Sequence, residues 1–197
     1  DMSAPLGCCI GNTLEVAEAA EILNGKNVPD LCALSMTLAG EMIAAAKGIP
    51  PEQAAKLAKE MLQSKKALQK LCEMVEAQGG NADYILEPQH FAPAAHAIEI
   101  TAQKDGFITQ TDAQILGQVS VLLGAGRTVK TDTIDPAAGI VLHKKPGDEV
   151  QCGDALMTLY SNDKQKTEAA KPLAQTAVSI GEEIPAQTPL IQSIIHA

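Results

Sequence analysis

Gly139-Ile140-Val141-Leu142-His143-Lys144-Lys145-Pro146-Gly147-Asp148-Glu149-Val150-Gln151-Cys152-Gly153-Asp154-Ala155-Leu156 alternates short apolar runs with explicit turn chemistry. Pro146-Gly147-Asp148 and Gly153-Asp154 supply turns at a short interval, because proline presets φ and glycine accepts backbone angles closed to other residues. The runs between them are too short for helices and read as strands, with Val150 and Leu156 pointing back into a small barrel. Around this hairpin, Ala97 to Ala102, Phe107 to Gln110, Gly139 to His143 and Ala155 to Tyr160 read as strands, with one helix over Asp112 to Leu123. The segment Asp163 to Ile180 predicts a helix broken or kinked at Pro172. Pro189-Leu190-Ile191-Gln192-Ser193-Ile194-Ile195 reads as a final strand tucked onto the sheet.

Upstream of Gly80 the period is helical. Leu14 to Leu23 ends at Asn24-Gly25, and Leu31, Leu34, Leu38, Met42 and Ile43 form an apolar stripe that stops near Gly48. Pro50-Pro51 opens a third helix, and Leu68, Leu71, Cys72 and Val75 mark a fourth that ends at Gly79-Gly80. The stripes are core-forming. A proline-containing connector, Asn81 to Ala94, carries Pro88 and Pro93. The change of period divides the chain into residues 1–86 and 87–197, an α+β arrangement.

Composition narrows the function. With 46% hydrophobic and 20% charged residues over 197 positions, the chain has apolar material for a real core divided between two units. A formal net charge of -9 argues against a nucleic-acid or acidic-membrane partner, and only Tyr84, Phe91, Phe107 and Tyr160 are available to stack bases. Lys65-Lys66 reads as a solvated helix face. Cys8, Cys9, Cys32, Cys72 and Cys152 are odd in number and lack C-x-x-C spacing, which reads as a reducing compartment without a zinc or disulfide framework. No apolar run is long enough to span a bilayer. A cytoplasmic location is the expectation.

The candidate site lies at the front: Asp1-Met2-Ser3-Ala4-Pro5-Leu6-Gly7-Cys8-Cys9-Ile10-Gly11-Asn12-Thr13-Leu14-Glu15-Val16-Ala17-Glu18. Pro5, Gly7 and Gly11 bend this loop so that carbonyls converge. Asn12 or Thr13 then caps a helix with Glu15 in capping-box register. Glu15 and Glu18 share one face of the first turns. Two readings stay open on chemistry alone. One is a helix cap complementing the macrodipole. The other is a hard, oxygen-only cation site.

The string resembles the DM-x-x-PLG-x-x-IGN-x-LEV-x-E segment of pyrimidine-nucleoside and thymidine phosphorylases. Leu122-Leu123-Gly124-Ala125-Gly126-Arg127 and Thr133-Ile134-Asp135-Pro136-Ala137-Ala138-Gly139-Ile140 are similar to strings of that family's C-terminal domain. The resemblance implies the helical end of a central α/β domain followed by an α/β-hammerhead, barrel-sandwich-like domain. It implies a pentosyltransferase that cleaves a pyrimidine nucleoside with phosphate to free base and pentose 1-phosphate. It also implies a homodimer and a potassium ion held by the carbonyl of Leu6, the carbonyl of Cys9 and the side chain of Glu18. Cys9 stands where the family carries a small residue, a change that a carbonyl ligand tolerates.

The family's Lys-His-Ser-Thr-Gly-Gly phosphate loop and its base-binding Arg, Ser and Lys have no equivalent here. No catalytic or substrate-binding side chain is therefore assigned. The chain, which starts at Asp1 rather than Met, is expected to be the back half of a longer protein, inactive alone and partnered by its own N-terminal half. Thymidine-specific and AMP-type phosphorylases of the same superfamily are alternatives. The Gly139–Leu156 hairpin also resembles biotinyl and lipoyl carrier domains, whose modified lysine sits in a Met-Lys-Met or Asp-Lys-Ala context that Lys144-Lys145-Pro146 lacks. Gly124-Ala125-Gly126 follows a helix rather than a strand, so it reads as a helix C-terminus and not a nucleotide fingerprint. Arg127 is expected in a surface salt bridge. His90, His96, His143 and His196 are dispersed, without zinc or general-base spacing.

Overall fold

In chain order the elements are β1 (Cys9–Ile10), α1 (Asn12–Leu23), α2 (Pro29–Lys47), α3 (Pro51–Gln63), α4 (Lys66–Ala77), α5 (Asp83–Leu86), a 3-10 turn at Pro88–His90, β2 (His96–Thr101), β3 (Gly106–Thr111), α6 (Ala113–Leu123), β4 (Gly139–Leu142), β5 (Glu149–Val150), β6 (Ala155–Ser161), α7 (Lys164–Thr176) and β7 (Val178–Gly181). This computed structural model describes residues 1–186 and 188–195. Helices and wholly antiparallel sheets make the fold α+β. The chain forms two compact units, one of Asp1–Glu15 with the chain from Ala92 onward, the other of Val16–Phe91.

The helical unit follows its punctuation. Pro29 and Pro51 occupy first turns, where a missing N–H costs nothing, and Asp30 and Glu52 complement the dipole there. Gly48 ends α2 in the left-handed conformation, its N–H donated to the Ala44 carbonyl. Its core joins Ala20, Leu68 and Ile85, with Leu23, Leu71 and Val75 packed against them. A cavity of about 330 Å³ among α1 to α4 is lined by Ile22, Leu23, Met36, Ile43 and Met61. Among the described residues no single helix is long and apolar enough to cross a membrane.

Lys66 and Lys65 are both exposed, as expected of a solvated pair, but Lys65 lies outside the helix. It stands between α3 and α4 with φ 58°, and its Nζ donates to Asn24 Oδ1 at 2.9 Å. The turn demands a left-handed residue and the sequence offers lysine there, which costs conformational energy that the neighbouring helices absorb.

The second unit has a four-stranded sheet in the order β1-β4-β6-β2 and a three-stranded sheet in the order β5-β3-β7. The first sheet buries Ile100, Ile140, Met157 and Leu159 against Leu116, Leu123, Ala170 and Ala174 of α6 and α7. The second core joins Ala102, Ile108, Val150 and Leu156. Val150 and Leu156 do point inward together, as the hairpin predicts, between two open sheets rather than inside a closed barrel. Register shifts at Ile100/Thr101 and Ile108/Gln110 bend β2 and β3 as the chain changes sheets.

Three expectations change. Helix α7 runs unbroken through Pro172, because burial of Thr167, Ala170 and Ala174 outweighs the one hydrogen bond that proline removes. It ends at Thr176, and Val178–Gly181 leaves it to pair with β3. The described part of the terminal segment, residues 188–195, forms no strand.

The hairpin is seated by glycine. A Cβ at Gly139 would lie 2.2 Å from the Ile10 carbonyl oxygen, whereas one at Gly147 would meet nothing, although Gly147 has φ +97°. Gly139→Ala is therefore expected to lower stability by roughly 1–3 kcal/mol in urea denaturation and to weaken β1 pairing, read as faster exchange of the Leu142 amide. Gly147→Ala should cost strain alone and leave that amide unchanged; equal exchange in the two variants would refute the steric account.

Candidate functional site

The N-terminal loop is fastened at several points. Asp1 accepts from Ser3 N and Ser3 Oγ at 3.0 Å, and the Ser3 carbonyl accepts from Ala113 N at 3.1 Å. Gly7 and Gly11 have φ 72° and 129°, as the bends require. The Leu142 N–H donates to the Cys8 carbonyl at 2.7 Å, and Cys9 pairs with Val141. Antiparallel pairs alternate between bonded and non-bonded, so the Cys9 carbonyl is directed away from β4. Since β1 closes the sheet order, that direction is the sheet's outer edge.

The cap differs from the expected one. The helix begins at Asn12, and the Glu15 carboxylate reaches back to the Gly11 N–H at 2.9 Å. Asn12 Nδ2 instead donates to the Ala125 carbonyl at 3.1 Å, and Thr13 N to the Pro136 carbonyl. Glu15 is thus committed to the helix start.

Glu18 is different. It lies in α1 within the helical unit at 4% exposure, a setting where a carboxylate is costly unless compensated. Leu6 and Cys9 belong to the other unit, half-buried. Carbonyl oxygens such as those of Leu6 and Cys9 and a carboxylate such as that of Glu18 are each hard donors, of a kind that suits an alkali or alkaline-earth ion better than zinc or copper. Among the described residues no group of three or more His, Cys, Asp or Glu side chains can hold a metal, and a site built on carbonyls needs none.

The remaining candidates resolve simply. Gly124 caps α6 in the left-handed conformation, as a helix C-terminus requires. Arg127 is exposed and forms no ion pair among the described residues, which corrects the salt-bridge expectation. His90 meets Glu87 at 3.1 Å, and His143 Nε2 meets Thr158 Oγ1 at 2.7 Å. His196 lies outside the described residues. None of the five cysteines is in a disulfide among the described residues. Lys144 Nζ donates to the Glu149 carbonyl at 3.0 Å and lies 3.8 Å from Asp154, so it is bound into its own hairpin.

Two carboxylates emerge that residue type alone did not single out. Asp132 accepts from Thr128 N and Val129 N, while Asp135 accepts from Ala137 N, Asn162 N and Asn162 Nδ2. Both shape the loop that carries Arg127.

The family model for the pyrimidine nucleoside phosphorylase C-terminal domain matches residues 107–181. Proteins named pyrimidine-nucleoside phosphorylase from Staphylococcus aureus strains USA300 and NCTC 8325 / PS 47 are each 39% identical over 196 residues, covering 99% of this chain. Residues 107–181 are thus a pyrimidine nucleoside phosphorylase C-terminal domain, and the whole chain is similar to pyrimidine-nucleoside phosphorylases. It spans 45% of the length of each of those relatives.

One titration belongs to this region. The N–H groups of Val129 and then Thr128 hold the Asp132 carboxyl below its ordinary value of 3.8, helped by nearby Lys166. A depressed folded value means stabilisation that is complete above the ordinary value and lost as pH falls through the lower, folded one. The Asp132 carboxyl resonance should titrate below 3.8, and Asp132→Asn should speed exchange of the Thr128 and Val129 amides at neutral pH. A titration at or above the ordinary value would contradict this.

Proposed function

We propose that this chain is the C-terminal part of a cytoplasmic pentosyltransferase that cleaves pyrimidine nucleosides with phosphate, releasing free base and pentose 1-phosphate. The observation that carries the reading is the collinear likeness to proteins named for that activity, running over 196 residues and so through the N-terminal loop and its outward Cys9 carbonyl. Within this reading the second unit is a hammerhead domain without a carrier function. The confinement of Lys144 favours that assignment over a lipoyl or biotinyl carrier.

In such an enzyme phosphate displaces the base at the anomeric carbon, and rate comes from orienting the reactants and stabilising charge on the departing base. A bound potassium ion would supply fixed positive charge near the phosphate. The Leu6 and Cys9 carbonyls, oriented by the backbone, and the Glu18 carboxylate would hold it. Gly11 and Gly139 keep the Cys9 carbonyl in register, and Glu15 locks the helix start that carries Glu18. The phosphate and nucleoside groups would come from the N-terminal half, and the assembled enzyme would be a homodimer.

A uridine-plus-phosphate assay tests the proposal. The 197-residue chain alone should give no turnover, whereas a polypeptide that joins it to the family's N-terminal half should turn over in a potassium-dependent manner. Turnover by the isolated chain would overturn the division of labour. In the joined enzyme Glu18→Gln is expected to raise the half-saturating potassium concentration on the order of tenfold, because one anionic ligand is lost. An unchanged potassium dependence would remove Glu18 from the site.

A further inference from the structure

Asp135 and Asn162 form a junction that neither the family likeness nor the proposed reaction explains. Asp135 Oδ1 accepts from Ala137 N at 3.0 Å and from Asn162 Nδ2 at 3.0 Å, and Oδ2 accepts from Asn162 N at 3.1 Å. Its own N–H donates to the Gly124 carbonyl at 2.9 Å, and its carbonyl accepts from Ala138 N at 3.2 Å. Thus one residue closes the loop between α6 and β4 at both of its ends. Asn162 then passes the connection on: its Oδ1 accepts from Ala95 N at 2.9 Å, immediately before β2. Next to it, buried Ser161 donates Oγ to the Leu123 carbonyl at 2.7 Å, a second tie between the same turn and the end of α6.

Each side chain has its polar atoms committed. An Asn amide offers one acceptor oxygen and a two-proton donor, and here the oxygen takes Ala95 while the nitrogen gives to Asp135. Rotating the amide to serve one partner breaks the other. The charged partner makes the Asp135 bonds the stronger ones and sets the amide's orientation. The entry of the chain into the sheet unit at Ala95 and the loop from Gly124 to Ala138 are therefore held through a single side-chain pair.

We propose that Asp135 and Asn162 act as a latch that couples the Gly124–Ala138 loop to the entry segment at Ala95, so that loosening either loosens the other. The coupling is reciprocal, as any linkage between two sites must be. Of the other charged groups in or beside this loop, which include Arg127 and Lys130, Asp132 and Lys166 are not links in the latch: Asp132 closes the Thr128–Asp132 turn, and Lys166 runs alongside Gly124. The inference rests on bonds inside the sheet unit and stands or falls separately from the enzymatic reading.

Backbone amide exchange by NMR on the full 197-residue chain decides it. Asp135→Ala should speed exchange at Ala95 about fivefold, although Asp135 does not touch that amide, as expected for loss of one neutral hydrogen bond. Asn162→Ala should speed exchange at Ala137 by a similar factor, although Asn162 does not touch Ala137. The Ile140 and Leu159 amides report that the core is intact, and Asp132→Asn should leave Ala95 unmoved. Unchanged Ala95 in the first variant, unchanged Ala137 in the second, or an equal response of Ala95 to Asp132→Asn would each overturn the latch. If Asp135→Ala loses core protection, the Asn162→Ala response at Ala137 decides alone.

Discussion

A side chain at Gly11 would place Cβ 2.4 Å from the Ala138 carbonyl oxygen, and one at Gly139 would place it 2.2 Å from the Ile10 carbonyl oxygen. Backbone therefore lies directly on backbone where β1 meets β4, and only glycine permits it. From this contact the rest of the N-terminal region follows. The Cys8 carbonyl is drawn to Leu142, Cys9 falls into a non-bonded pair position, and Ile10 packs against the core of the four-stranded sheet. Helix α1 then starts at a fixed point, tied by Glu15 to Gly11 and by Asn12 to Ala125.

The helices were legible because their signals are local. Pro29, Pro51 and Gly48 each act within one turn, and the apolar stripes need only a period. The Gly139–Leu156 hairpin was legible for the same reason. What escaped were features whose energetics lie elsewhere in the chain. Two residues of β1 make a strand only because β4 is beside them, and β7 leaves the predicted helix only because β3 offers an edge. Pro172 marks a break in any local reading, yet Ala170 and Ala174 on either side of it are fully buried and hold the helix together. Tertiary burial outweighs a single missing hydrogen bond.

The candidate site divides in the same way. Its Gly-rich loop and acidic helix start were visible as residue types, and Glu18 stood out by its spacing from Glu15. That Glu18 is buried while Glu15 serves the cap could not be read from spacing, since both lie near one helix face. Asp135 was seen only as part of a family string. Its partner Asn162 is 27 positions away, and Ala95 lies a further 67 from Asn162, beyond any local pattern.

A site built on carbonyls has an unusual relation to sequence. The donor atom belongs to the main chain, so the side chain at a ligand position is almost free to vary, and a cysteine at position 9 leaves the donor unchanged. The constraint moves instead to residues that set backbone direction. In the proposed site Gly7, Gly11 and Gly139 would carry no donor to the ion, yet a methyl group on Gly11 or Gly139 would displace the Cys9 carbonyl by forcing β1 from β4. Chemistry and tolerance therefore separate: the ligand position accepts substitution and the neighbouring glycines do not. A carboxylate ligand reverses this, because its donor is the side chain itself, and in the proposed site Glu18 would be the one member of the set whose identity is the function.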